Sequence, residues 1–468
     1  MVLTLLLLEL VASGTNASRP HGGGACTGPL DCQLNGRCIG GACRCGAALK
    51  PLRQPVQRTS LRLRLCVFRC SAAWTGANCS MLNLLPATAG HGLGSRSSSW
   101  SFWGNKAIKD PVTGKYFMAA DEMANHCGLG SFGSNSRSIM AQSDNASGPY
   151  TRVQVVVDSF SHGTWMERDP SSGRWILGHM GSGAASHKSC KSCATGITPL
   201  DAKDVPCPHE SAVPVGAQIG ALIADSPLGP WRSAGPHIIN GANCEPFFMR
   251  NGTLFFVCPW GGQVNDPHCN NQNAGLTLHR AETLDAALAG NYTELTQNGP
   301  TYLLGGTNQS KPCQNWEGNN FWVDEHGYFH SLAHAYRGQP CDYPVPGCKN
   351  PGMPNASDGI SPCTATGGHS YSLDGQTWFI SPVAPFTSTI EFVDGSKVTF
   401  RARERAHLIF DDDGSPLYLG NGMGNPGAGE NTGVPGADHT FVPSLYNTFG
   451  IDIWIFCMDL FFCVKILY

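Results

Sequence analysis

The sequence predicts an all-β protein, a five-bladed β-propeller preceded by a small disulfide-rich module. Three observations predict it. Gly (57) and Pro (32) are abundant among the 468 residues while only 14% are charged, a balance that favours turns over long helices. Half-cystines crowd the stretch from Cys26 to Cys79, where apolar patterning is absent. From Trp100 onward, one turn-and-strand form recurs five times. An apolar content of 41% and a formal net charge of −3 describe a folded, nearly neutral protein. They exclude a disordered tail, a coiled coil and a nucleic-acid binder.

The chain opens on Met1 to Leu10 with Leu5-Leu6-Leu7-Leu8, followed by Ala12-Ser13-Gly14, which reads as a signal peptide over residues 1–17. Twenty-one cysteines spread along the whole chain imply an oxidising compartment. Seven Asn-x-Ser/Thr acceptor sites (Asn16, Asn78, Asn145, Asn251, Asn291, Asn308, Asn355) agree with secretion as a glycoprotein.

Cys26, Cys32, Cys38, Cys43 and Cys45, with Leu34-Asn35-Gly36 between the second and third, and then Trp74-Thr75-Gly76-Ala77-Asn78-Cys79, resemble an EGF-like module over residues 26–79. The resemblance implies bridges Cys26 to Cys38, Cys32 to Cys43 and Cys45 to Cys79; spacing alone leaves many pairings open. So small a unit lacks a core, and its bridges, each worth about 2–4 kcal/mol, would hold it. Residues 46–70 depart from the resemblance. They add Lys50, Arg53, Arg58, Arg62, Arg64 and Arg69, no acid, and two cysteines, Cys66 and Cys70. An unremoved intron is the favoured origin, and a polybasic loop for anionic glycans or lipid headgroups the alternative. No acidic pair precedes Cys26 to suggest calcium there.

The repeat consists of a polar or acidic residue, a Gly a few places on, and a run of aromatic and branched residues. It appears at Asp110 to Phe117, Asp169 to Trp175, Arg250 to Phe256, Asp324 to Phe329 and Asp411 to Tyr418. Each is a hairpin signature. Its glycines lie 59, 79, 75 and 87 residues apart, room for a four-stranded sheet between successive hairpins. A second element, Ser143 to Tyr150, Ser226 to Trp231 and Ser372 to Trp378, fits the outer hairpins of blades. Five such units over residues 97–445 predict the propeller, with a β-sandwich as the competing architecture. The tail, residues 451–468, is apolar but includes Asp452, Asp459 and Lys465. A central Asp costs about 2.5–3.5 kcal/mol in a bilayer, so no membrane anchor is expected. A read-through intron or a closing strand remains.

The motifs Trp103-Gly104-Asn105, Ala119-Ala120-Asp121-Glu122-Met123, Cys244-Glu245-Pro246-Phe247-Phe248, Trp316-Glu317, Gly368-His369-Ser370-Tyr371-Ser372 and Arg403-Glu404-Arg405-Ala406-His407 resemble the propellers of glycoside hydrolase family 43. The resemblance implies a polysaccharide partner in a central pocket and, where active, inverting hydrolysis by two carboxyl groups. One carboxyl is protonated for the leaving oxygen and one is ionised for water. Glu245, Glu317 and Glu404, at starts of inner strands, are the catalytic candidates. Glu245, beside Pro246 and Phe247, has the more apolar setting and suits the acid. Glu404, between Arg403 and Arg405, suits the base or a substrate clamp. Asn105, Asp121, Arg403, Arg405, His369 and Trp316 are the substrate-binding candidates. Two positions depart from the family: Asn105 stands where a basic Asp is expected, and Glu317-Gly318-Asn319 replaces an expected Glu-Asp-Pro. Either change can silence hydrolysis and leave a binding protein. No cofactor is expected, calcium being the one cation the resemblance leaves open. Cys190 and Cys193 read as loop disulfide partners, not a zinc pair.

Overall fold

The structure is a computed structural model that describes residues 22–45, 64–65, 73–93, 100–181, 189–193, 203–208, 210, 221–234, 244–259, 276–296, 302–304, 316–335, 367–381, 383–400, 402–412, 414–424, 438–441 and 456–457. The leader (1–17) and nearly all of 46–70 and 451–468 lie outside these residues.

Each of the five repeat segments forms a hairpin, for a local reason. The repeat glycines Gly114, Gly173, Gly252, Gly327 and Gly414 take left-handed φ values of +74°, +77°, +88°, +81° and +84°, a region a Cβ disfavours. The acid ahead of the glycine, or Asn251 in the third repeat, satisfies the turn's own amides. Asp110 accepts from the N–H groups of Val112 and Thr113, and Asp324 from those of His326 and Tyr328.

Each hairpin opens a sheet. The leading strands are β1 (Ser101–Lys109), β2 (His162–Arg168), β3 (Glu245–Phe248), β4 (Trp316–Val323) and β5 (Ala402–Phe410). Behind β1 follow Tyr116–Met123, Ser136–Ser143 and Thr151–Val157 as an antiparallel meander, and the second and third sheets also have four strands in chain order. The fourth gains a fifth strand, Tyr302–Leu304, parallel to Trp378–Ile380. Among the described residues the fifth has three, the third being Asp438–Phe441. The described helices are a few residues long, and none is long and apolar enough to cross a membrane.

Leading strands neighbour one another in chain order, and β5 also lies beside β1. The buried apolar residues fall between consecutive sheets. Phe117 and Met140 of the first meet Met166 and Trp175 of the second. Ile176 and Ala221 of the second meet Leu254 and Phe256 of the third, and Phe255 and Leu278 meet Phe321 and Trp378 of the fourth. Trp322 and Leu332 meet Leu408 and Leu419 of the fifth, and Ile409 meets Phe102 and Ala107 of the first.

At the N-terminal side, bridges join Cys26 to Cys38, Cys32 to Cys43 and Cys45 to Cys79, the pairs the resemblance implied. This unit shares a core with the fourth and fifth sheets through Trp74, whose ring lies 4.9 Å from that of His369. Cys190 and Cys193 each take a distant partner, Cys207 and Cys127, and a sixth bridge joins Cys244 to Cys258.

Candidate functional site

Four of the five leading strands carry a bulge near their start. Two residues of the strand oppose one on its partner at Gly104-Asn105, Gly163-Thr164, Gly318-Asn319 and Arg405-Ala406. Bulges re-aim side chains and recur beside active sites. Gly104 and Gly163 enter theirs at φ +61° and +64°, and Arg405 does so at +51° with a side chain to accommodate, a conformation costing about 1–2 kcal/mol for a non-glycine residue. The residue just ahead of the bulge lies seven positions before the turn acid, and in two neighbouring strands it is a glutamate: Glu317 ahead of Asp324, and Glu404 ahead of Asp411. Glu404 is half-buried, and its carbonyl accepts from Asn421. The side chains of Glu317, Trp316 and Asn105 lie outside the described residues, although the backbone places all three at the bulge end of β4 and β1.

Four positions before the turn, the leading strands present Lys106, Trp165, Glu245, Asn320 and His407, and these brace the sheets to one another. Lys106 Nζ lies 2.6 Å from Glu167 Oε1 and 3.8 Å from Glu245 Oε2, and donates to the Pro246 carbonyl at 2.9 Å. His407 Nε2 bonds Glu245 Oε1 at 3.0 Å, and the Leu408 N–H donates to Asn320 Oδ1. Glu245 is 2% exposed. The apolar setting expected for it is therefore corrected: the Lys106 ammonium of the first sheet and the His407 imidazole of the fifth flank the carboxyl, contacts between strands far apart in the sequence. Burial raises the Glu167 carboxyl above its ordinary range, and Lys106 opposes that shift. Lys106 and Glu167 escaped the sequence reading, although each is a charged residue inside a leading strand. This hub does not fit calcium, since the carboxylates that would ligate the ion already share Lys106. The clustered Cys26, Cys32 and Cys43 sulfurs are likewise spent in bridges.

Asp121 sits behind the first bulge, 1% exposed. Its carboxylate accepts from the N–H groups of Gly163 and Thr164 at 2.9 and 3.0 Å and from the Thr164 hydroxyl at 2.6 Å, and His162 Nδ1 lies 3.2 Å away. So held, Asp121 fixes the second bulge. Burial pulls the His162 imidazole down to about 4, Asp121 opposing and Arg405 reinforcing that shift. A Cβ placed on Gly104 would lie 3.8 Å from Asp121 and 4.0 Å from Arg405. Asp121, Arg405 and the Gly104-Asn105 backbone therefore meet at one place. Ser136 Oγ also reaches His162 Nδ1, the nitrogen that faces Asp121, so the three do not form a nucleophilic relay.

Other candidates lie elsewhere. Arg403 turns away from Glu404: it bonds Asn421 and the Thr387 carbonyl and stacks over Phe386 at 4.7 Å. Burial lowers its guanidinium to about 9. His369 is on the third strand of the fourth sheet, fully buried, stacked with Trp322 and His330 and with Trp74 tilted against it, and does not join the site. Glu122, next to Asp121, faces the opposite side and is buried against Arg137 and Arg152. Trp103, Trp165 and Trp322 are buried packing.

No family model and no curated protein matches the chain. Among solved structures, it is similar to a thermostable family-43 glycoside hydrolase (12% identity, TM-score 0.41, 75% of this chain and 92% of that one). It is also similar to an endo-1,4-β-xylanase from Bacteroides thetaiotaomicron (11%, 0.41, 74% and 91%). A third is the catalytic domain of the GH62 α-L-arabinofuranosidase of Coprinopsis cinerea (11%, 0.42, 78% and 99%). Likeness at this level assigns neither activity nor substrate.

Proposed function

We propose that the five sheets are the blades of a closed propeller whose mouth, at the bulge end of the leading strands, takes a polysaccharide segment and hydrolyses it with Glu317 and Glu404. The observation that carries this reading is the matched placement of those two glutamates. They stand at equivalent positions, one residue ahead of a bulge, on strands that lie side by side. Closure is supported by the separate cores between consecutive sheets, including the fifth with the first; a sandwich would have one core between two sheets. Glu317 would protonate the leaving glycosidic oxygen while Glu404 takes the proton of the attacking water. Glu245, salt-bridged and buried, would hold the hub. The bridged N-terminal unit is read as an EGF-like arm of an extracellular protein, consistent with six disulfides among the described cysteines.

The test is release of reducing ends from an arabinan and xylan panel by the purified chain. Glu317→Gln and Glu404→Gln are each expected to lower turnover by about two orders of magnitude or more, with glycan binding retained. Variants that keep full turnover would refute the assignment. A second reading, a propeller that binds glycans without cleaving them, is favoured by one observation. Asp121, the carboxylate beside Gly104 at the first bulge, is fully engaged by Gly163 and Thr164. Binding by the native chain without turnover would select it.

A further inference from the structure

A cleft of about 710 Å³ opens at the opposite end of the leading strands, between the bridged N-terminal unit and the hairpin turns of the third, fourth and fifth sheets. Its floor is apolar, formed by Leu34, Trp74, Phe247, Trp322 and Phe410. Its size suits a few sugar rings, within the about 300–1,000 Å³ usual for small-ligand sites. On its rim stands Asn251, the first residue of the acceptor sequence Asn251-Gly252-Thr253.

The side chain of Asn251 is exposed. Its Oδ1 accepts from the Thr253 N–H at 3.1 Å, and among the described residues its Nδ2 has no hydrogen-bond partner. A sugar on Nδ2 would leave that turn bond intact. The contrast is Asn78, whose Nδ2 already donates to the Asp31 carbonyl at 2.8 Å. Asn145 and Asn291 are also exposed acceptors, but neither lines the cleft. We infer that Asn251 carries an N-linked glycan whose first N-acetylglucosamine residues fold back into this cleft and seal the junction between the bridged unit and the turns. In the modification, Nδ2 loses one proton and bonds the anomeric carbon of the sugar, while the diphosphate of a lipid-linked oligosaccharide donor leaves with that proton. Hexosamine rings present C–H faces to aromatic side chains, and the floor supplies Trp74, Trp322, Phe247 and Phe410. Their hydroxyl and acetamido groups face the polar rim, where Arg37, Asn35 and Glu325 stand.

The unaltered full chain, secreted from a eukaryotic host, tests this. Glycopeptides containing Asn251 and Asn291 are followed by mass during digestion with a peptide N-glycosidase, once on folded and once on denatured protein. Asn251 is expected to be occupied, and its glycan to be released several-fold more slowly from the folded protein than from the denatured one. The Asn291 glycan serves as the accessible reference. Release from Asn251 is expected to increase quenching of tryptophan emission by acrylamide. An unmodified Asn251 peptide, equal release from folded and denatured protein, or unchanged quenching would each overturn the inference.

Discussion

Replacing Lys106 by Met removes the cation that the hub is built around. Lys106 is 5% exposed, and its Nζ serves Glu167 at 2.6 Å, Glu245 at 3.8 Å and the Pro246 carbonyl at 2.9 Å. Met fills similar volume, so packing is nearly conserved and the loss is electrostatic. Glu245 keeps His407, which makes Glu167 the principal orphan. Breaking a buried pair from one side costs about 3–5 kcal/mol. Water reaching Glu167, 15% exposed in its side chain, places the expected loss near 3. The sign of the pH dependence follows from Glu167. Burial already raises its folded carboxyl, and loss of the ammonium raises it further above the unfolded value of about 4.3. Between those two values the folded state binds more protons than the unfolded one, so the variant loses stability as pH rises through that window and recovers as pH falls. Urea denaturation of wild type, Lys106→Met and Lys106→Met/Glu167→Gln at about pH 5 and about pH 8 reads this directly. The single variant's deficit is expected to be larger at the higher pH, and the second substitution to recover most of it. A deficit below about 1 kcal/mol at the higher pH, or one equal at both, refutes the reasoning.

Two further outcomes rest on other parts of the fold. Gly114→Ala meets no atom within 4 Å of the new Cβ but must hold φ +74°, so it is expected to cost about 1–2 kcal/mol in urea denaturation. Gly133→Ala, equally open and inside the short helix Phe132–Asn135, is expected to be neutral or slightly stabilising. Burial holds His369 well below its ordinary range, so the unfolded chain binds more protons below about pH 6.5 and stability falls with acidification, by up to about 1.4 kcal/mol per pH unit. His369→Asn is expected to blunt that slope without abolishing it, because buried His162 titrates in the same sense. An unchanged slope would place the proton elsewhere.

Local chemistry was legible in the residues alone. A turn needs an acceptor side chain and a residue free to take positive φ, and both are covalent properties of neighbours. Asp110 with Gly114 or Asp324 with Gly327 therefore announced the hairpins, and with them the leading strands that bear Glu317 and Glu404. The surroundings of a side chain are not local. Glu245 follows Cys244 and precedes Pro246, and nothing beside it in the chain indicates that Lys106 and His407 arrive from other sheets. Asp121 and Glu122 are adjacent, yet one locks the bulge of β2 and the other pairs with Arg137, because alternation sends them to opposite faces. Arg403 neighbours Glu404 in sequence and turns instead to Asn421 and Phe386. Chain order thus determined which strands form and where they turn. Which charges meet, and which carboxyls are spent on structure, was decided only when the sheets packed together, since Coulomb and desolvation energies depend on distance in space.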